Sequence, residues 1–245
     1  MMGKTVLVTG ASRGVGAKVA TLLAKAKANV VINYRQRAKL AERTSASATA
    51  LGGTVMTVQA DLTDADAVRS MFDKTADAFG KLDALILNAS GGLEEGKPAD
   101  YVTRLNVEGQ VRAVDLATPL MPDGGRIIFV TSHEAHFYGR RSTLKAYEPV
   151  AASKRAGEDA LRARIPVLAD QGISLVVVSG DVIDRTVTAV LLERKYPGLL
   201  ARRRAQVGEL LTVDDFASAV ADVAAGALPP SGTTLFVGSP DAPDV

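Results

Sequence analysis

The chain has 245 residues, 47% hydrophobic and 23% charged, enough to bury the core of one α/β domain spanning 1–245. A formal charge of +2 and the absence of cysteine argue against nucleic-acid binding and exclude disulfides, thiol nucleophiles and cysteine-bound metals. No apolar run approaches a membrane span, and Met1 to Lys4 lead directly into a strand-like segment too early for a signal-peptide core, so a cytoplasmic protein with no membrane or metal partner is expected.

The predicted elements begin with a strand, Thr5 to Val8, followed by Thr9-Gly10-Ala11-Ser12-Arg13-Gly14-Val15-Gly16. An apolar-periodic segment then runs through Val15, Val19, Leu22, Leu23 and Ala26. Strand, glycine turn and helix in that order suit an anion at the helix N-terminus, where unpaired N–H groups and the dipole favour negative charge. Glycine permits the turn, lets a diphosphate approach the main chain and lets the helix sit close on the strand. The spacing Gly10-x3-Gly14-x-Gly16 after Thr9 resembles the pattern of the short-chain dehydrogenase/reductase family, and the resemblance covers nearly the whole chain. It implies a dinucleotide bound at Gly10, Ser12, Arg13, Gly14, Val15 and Gly16.

Asn29 to Tyr34 reads as a second buried strand, and the residues at its end choose between the two cofactors. An NAD site places an acid there to bind the ribose hydroxyls. Here Asn33-Tyr34-Arg35-Gln36-Arg37 carries none, and a guanidinium can fork onto a 2′-phosphate. NADP(H) is therefore expected, with Arg13 and Arg35 as phosphate clamps and Asn33 beside the cofactor. The alternative is that Arg35 and Arg37 only solvate a loop.

Arg37 to Leu51 forms an alanine-rich helix, Thr54 to Gln59 a third strand, and Asp61-Leu62 follows. In the resembled family that pair borders the adenine, although Asp after a strand is also a common helix cap. Val68, Met71, Phe72 and Phe79 mark the core face of the next helix. Leu82 to Leu87 is the fourth strand, leading into Asn88-Ala89-Ser90-Gly91, where the family usually has Asn-Asn-Ala-Gly. The resemblance implies that Asn88 and Ala89 pass the nicotinamide-side ribose, with Ser90 at the substrate pocket. A long helix from about Pro98 to Leu120 carries Asn106, matching a family Asn expected to hold a water near the active-site lysine.

The fifth strand, Ile127 to Val130, ends in Thr131-Ser132. Ser132 matches the family's carbonyl-binding serine, or else satisfies its own loop. The segment His133 to Glu148 carries both histidines, His133 and His136, with Phe137, Tyr138 and Tyr147. The family's Tyr-x-x-x-Lys puts a phenol one turn before a lysine that lowers its pKa. Here Lys154 is the lysine and Val150 stands at the tyrosine position. Tyr147 lies seven residues before Lys154, and Pro149 is expected to break the helix between them; with a shifted alignment, Tyr147 is the acid instead. The proton is expected from a hydroxyl of the substrate, a large, flat, aromatic polyketide-type ketone, or from a bound water, with Ser132, His133, His136, Tyr138 and Tyr147 as the side-chain candidates. Catalysis is assigned to Ser132, Lys154 and Asn106, and the substrate pocket to Ser90, His133, Tyr138, Tyr147 and Val150.

Ile173 to Val178 is the sixth strand, with Ser179-Gly180 where the family has Pro-Gly, and Gly180 with Thr186 or Thr188 is expected at the nicotinamide. A lid spans about 183–210. The basic clusters Arg140-Arg141 and Arg202-Arg203-Arg204 are read as solvated surface, or as a grip on an acidic substrate. Thr212 and Asp215 suggest a capping box for a last helix, and Thr233 to Val237 the seventh strand.

These elements predict an α/β, singly folded, doubly wound Rossmann domain. Its seven-stranded parallel sheet has order 3-2-1-4-5-6-7, with helices on both faces. The Val150 departure resembles the tyrosine-lacking, angucyclinone (simocyclinone-type) ketoreductases of polyketide antibiotic pathways. That implies NADPH-dependent reduction of a small-molecule ketone and is compatible with a homo-oligomer. The rivals are a non-catalytic NADP(H)-binding sensor or regulator and an NADP-dependent alcohol dehydrogenase.

Overall fold

The computed structural model describes residues 1–94 and 96–240. Its sheet has seven parallel strands, β1 (Thr5–Val8), β2 (Asn29–Tyr34), β3 (Thr54–Gln59), β4 (Ala84–Leu87), β5 (Arg126–Ser132), β6 (Ser174–Gly180) and β7 (Thr234–Val237). They lie in the order β3-β2-β1-β4-β5-β6-β7, as predicted. Val6 is in register with Val30 on one side and Ala84 on the other.

The helices are α1 (Gly14–Lys25), α2 (Ala38–Ala50), α3 (Ala65–Phe79), α4 (Tyr101–Thr103), α5 (Gly109–Ala117), α6 (His133–His136), α7 (Glu148–Arg162), α8 (Ile165–Asp170), α9 (Val187–Lys195), α10 (Leu199–Val207) and α11 (Val213–Ala225). The central strands are apolar on both faces because helices cover both. Val6, Val8, Ile32, Ile86 and Val178 pack against Val19 and Leu23 of α1 and Phe216 and Val220 of α11. Leu7, Val31, Leu85, Phe129 and Val177 face Val68, Met71 and Phe72 of α3 and Leu161 of α7.

Helix ends show which N-termini the chain satisfies itself. Asp64 caps α3 by accepting from the amides of Asp66 and Ala67, Thr186 caps α9, and Thr212 with Asp215 forms the expected capping box on α11. At α1 the N-cap residue is Arg13, with no side-chain cap and no acid in the first turn.

Two stretches depart from the sequence reading. The helix expected from Pro98 begins at Tyr101 and contains a π-helical turn, Arg104–Glu108, ahead of α5. Asn106 sits in it with its amide bracketing Gly91: Oδ1 accepts from the Gly91 amide at 3.3 Å and Nδ2 donates to its carbonyl at 3.0 Å. Gly157 of α7 meets the same turn, where a Cβ would lie 2.1 Å from the Asn106 carbonyl oxygen. The second departure is Arg203, expected on the surface. Its guanidinium is buried and forks onto Asp181, with Nη2 2.8 Å from Oδ2, because α10 folds back over the end of β6. No helix among the described residues is long and apolar enough to cross a membrane.

Candidate active site

The glycine turn and the loops after β2 and β4 form one hydrogen-bonded unit. Thr9 Oγ1 donates to the Ile86 carbonyl and accepts from the amides of Asn88 and Ala89 at 2.9 and 3.0 Å. Asn88 Nδ2 donates to the Thr9 carbonyl at 2.9 Å. Gly10 has φ +63°, and a Cβ on Gly16 would lie 2.5 Å from Asn88 Nδ2, so both positions require glycine. Asn33 accepts from the Gly10 amide and donates to the carbonyls of Val58 and Ala60. Its amide therefore ties the end of β2 to the glycine turn and to the end of β3. Thr9 is the participant that the spacing alone did not single out, although it stands beside the first glycine.

Past β2 and β3, Arg35 and Asp61 line a shallow groove with Gln36, Gln59 and Lys74. Arg35 donates to the Tyr101 hydroxyl, lies 5.6 Å from that ring's centroid and 3.7 Å from Glu94 Oε1. Asp61 Oδ1 accepts from the amide and hydroxyl of Thr63. Leu62 is buried, with its carbonyl held by Arg112. Arg13 is exposed at the mouth of α1, and Ser12 beside it is half-buried.

A second cleft, about 200 Å³, opens at the C-terminal ends of β4, β5 and β6 and is roofed by α9. It brings together Val15, Asn88, Ser90, Ser132, His133, Tyr147, Lys154, Gly180 and Thr186. Ser132 ends β5, caps α6 by accepting from the Ala135 amide at 3.3 Å, and lies 3.1 Å from the Tyr147 hydroxyl. Thr186 is engaged as the cap of α9 and donates to the Ile183 carbonyl. Asn106 lies behind the cleft; its Nδ2 also donates to Ser153 Oγ at 2.9 Å. Both ends of that amide are thus bonded to protein.

Three expectations are corrected here. Pro149 does not separate Tyr147 from Lys154, since it sits in the first turn of α7, where a missing N–H costs nothing. Tyr147 is the N-cap residue, and its carbonyl accepts from the Ala151 amide at 2.9 Å. At 100° per residue, positions 147 and 154 share a face two turns apart. Val150, expected in the pocket, is 4% exposed and packs behind Tyr147 with Leu144, Leu192 and Leu199. Tyr138 also stays outside the cleft lining, its hydroxyl 3.4 Å from Glu148 Oε1.

The cleft also holds Glu134 and Asp181, which sequence reasoning missed because their segments carry no periodic or motif signal, and Arg141, whose basic cluster was read as solvated surface or as a grip on an acidic substrate. Arg141 lies 3.8 Å from the Phe137 ring centroid, and Phe137 stacks on Phe236. His133 Nδ1 is 2.8 Å from Ser179 Oγ, while His136 pairs with Glu158 beneath α6.

Burial dominates the electrostatics. It pushes Lys154 down to about 8 against the pull of Glu158. The Tyr147 phenol is pushed up to about 12 by burial, with the Glu134 charge adding and the Ser132 hydrogen bond opposing. His133 is pushed down to about 4 by burial, which keeps it neutral. Lys154 makes no hydrogen bond or ion pair with the described residues, although it is buried. An uncapped α1 N-terminus, a glycine cradle and a buried unpartnered ammonium form a donor set that fits an anionic dinucleotide.

Comparison with known proteins agrees with this geometry. Residues 4–195 match the family model for short chain dehydrogenase. The 1-cyclohexenylcarbonyl-CoA reductase of Streptomyces collinus is 33% identical over 184 residues, covering 73% of this chain and 64% of that protein. A short chain dehydrogenase from Burkholderia cenocepacia in complex with NADP superposes with a TM-score of 0.81 at 31% identity, over 97% of both chains. The reductase LugOII, which catalyses keto-reduction at C1 in lugdunomycin biosynthesis, superposes with a TM-score of 0.79 at 25% identity over 96% of both chains. With Thr9 and its glycines bound to the loop after β4, and Ser132 and Lys154 facing one cleft, the chain is a member of the short chain dehydrogenase family.

Proposed function

We propose that this protein is an NADPH-dependent ketoreductase acting on a large, flat, polyketide-type aromatic ketone. The observation that carries this reading is the Ser132–Tyr147 hydroxyl pair, 3.1 Å apart, in a cleft that also holds Lys154. NADPH, when bound, supplies the hydride. Gly10, Ser12, Gly14, Val15 and Gly16 would hold its diphosphate, and Asn88, Ala89, Lys154, Gly180 and Thr186 the nicotinamide side. Asp61 and Leu62 would border the adenine, and Arg13 and Arg35 would meet a 2′-phosphate. The absence of an acid after β2 and the NADP bound by the Burkholderia relative support that preference.

Ser132 would orient the ketone oxygen, and Tyr147 would give its proton to the developing alkoxide. Val150, at the family's tyrosine position, has no proton to give. A phenol held near 12 stays protonated and is a poor base, which favours reduction over alcohol oxidation. The apolar walls from Phe137, Ile183, Leu192 and Phe216 suit a flat hydrophobic substrate, and the keto-reduction by LugOII supports that class. In a second reading a substrate hydroxyl or a water protonates the alkoxide. It is favoured by the two-turn separation of Lys154 from Tyr147, which leaves the phenol a weak acid.

Tyr147→Phe separates the two readings. Loss of about 10² to 10⁴ in kcat, with NADPH affinity unchanged, identifies Tyr147 as the donor; near-wild-type turnover assigns the proton to substrate or water. NADPH binding with no turnover of any aromatic ketone tested would instead mark the chain as a sensor or regulator.

A further inference from the structure

The turn that delivers Tyr147 is held by hydrogen bonds that begin and end at Ser132. Ser132 opens α6, and two residues on Glu134 Oε2 accepts from the Leu144 amide at 3.3 Å. The Leu144 carbonyl accepts from the Tyr147 amide at 2.7 Å, and the Tyr147 hydroxyl returns to Ser132 at 3.1 Å. The path therefore closes through one acidic side chain. A second brace comes from the lid side, where the Tyr196 hydroxyl accepts from the Ala146 amide at 2.8 Å.

We propose that Glu134 is a positioning residue of the reaction, fixing the 144–147 turn so that the Tyr147 hydroxyl meets Ser132 and the substrate oxygen. The inference rests on the reading of Tyr147 as proton donor. A half-buried carboxylate is costly unless it is hydrogen-bonded, and among the described residues the Glu134 side chain makes one hydrogen bond, to the backbone of this turn. Its negative charge also opposes formation of a phenolate at Tyr147. That charge makes the phenol a weaker acid, so the contribution of Glu134 to the reaction lies in placing the hydroxyl. The other charged and titratable groups lining the cleft are His133, Arg141, Lys154 and Asp181. Asp181 is paired with Arg203, and burial with the nearby Asp181 charge pushes the Glu134 carboxyl up.

The test compares Glu134→Ala, which removes acceptor and charge, with Glu134→Gln, which keeps an acceptor oxygen. Both are measured beside Tyr147→Phe in the full-length protein with NADPH and an aromatic ketone. Glu134→Ala should lower kcat by about 10²-fold, the scale of a misplaced reacting group, with NADPH affinity unchanged. Glu134→Gln should recover most of that loss. Tyrosinate absorbance, taken as the difference between each protein and its Tyr147→Phe counterpart, should show the Tyr147 phenol ionising at lower pH in Glu134→Gln than in the parent. A purely structural role for Glu134 would not move that titration.

The proposal is overturned if Glu134→Ala turns over like the parent, or if both variants fail equally while the titration of Tyr147 stays unchanged. If Tyr147→Phe itself keeps full activity, the donor reading fails, and the positioning role fails with it. The titration would still report whether Glu134 acts on the phenol.

Discussion

The nucleotide end and the carbonyl end of this molecule are built by different means. Around β1, the site is mostly main chain: Thr9 and Asn88 bond to backbone atoms of neighbouring loops, and glycines keep side chains out of the way. Around β5 and β6, it is side chain on side chain, with Ser132 on Tyr147, His133 on Ser179 and Arg203 on Asp181. Main-chain construction demands particular residues at fixed short spacings. Side-chain construction joins groups 15, 46 and 22 positions apart, and many residue pairs could have done the same.

The two halves should therefore break differently. The largest expected effect is in the side-chain half. Arg203→Met leaves Asp181 buried without its partner and should destabilise the fold by about 3–5 kcal/mol in chemical denaturation. The double variant Arg203→Met with Asp181→Leu should recover most of that loss. A double variant no better than the single would show that the pair acts through something other than mutual compensation.

The next effect, also in the side-chain half, depends on pH. The folded pKa of His133, about 4, lies below its ordinary 6.5. The unfolded chain therefore takes up the proton first, and stability present above pH 6.5 is lost as pH falls toward 4. The loss is on the order of 3 kcal/mol. His133→Phe should flatten that part of the stability profile, and a profile of unchanged slope would count against a neutral buried His133.

The smallest effect falls in the main-chain half. Gly16→Ala forces a methyl group to within 2.5 Å of Asn88 Nδ2 and 2.9 Å of the Gly10 carbonyl. Overpacking of that kind costs about 1–3 kcal/mol, and the thermal shift should be accompanied by weakened NADPH binding. Stability lost with unaltered affinity would separate the packing role of Gly16 from its role in the cradle.

The same contrast explains what could be read in advance. The sheet order, the two buried faces and the α11 capping box follow from alternation, breakers and a local four-residue pattern, and all were legible. The association of Thr9, Gly10 and Asn88 was legible in part, through glycine spacing. Pro149 was misread because proline was taken as a helix breaker when its position in the first turn makes it a helix starter. Arg203 was misread because an arginine run looks solvated until α10 turns its middle member inward onto Asp181. Glu134 had no signal at all. Its partner is a backbone amide ten residues on, and nothing in residue type marks such a bond.

The bare N-terminus of α1 has a thermodynamic consequence. The chain supplies side-chain caps at α3, α6, α9 and α11 and none at α1, where the dinucleotide would sit, and a bound diphosphate would then complete that helix. Binding would then raise the melting temperature with ligand concentration, adding about 2.7 kcal/mol at a hundredfold excess over Kd. The relative sizes of the shifts given by NADP and NAD would rank the two cofactors in a melting experiment, before any substrate is known.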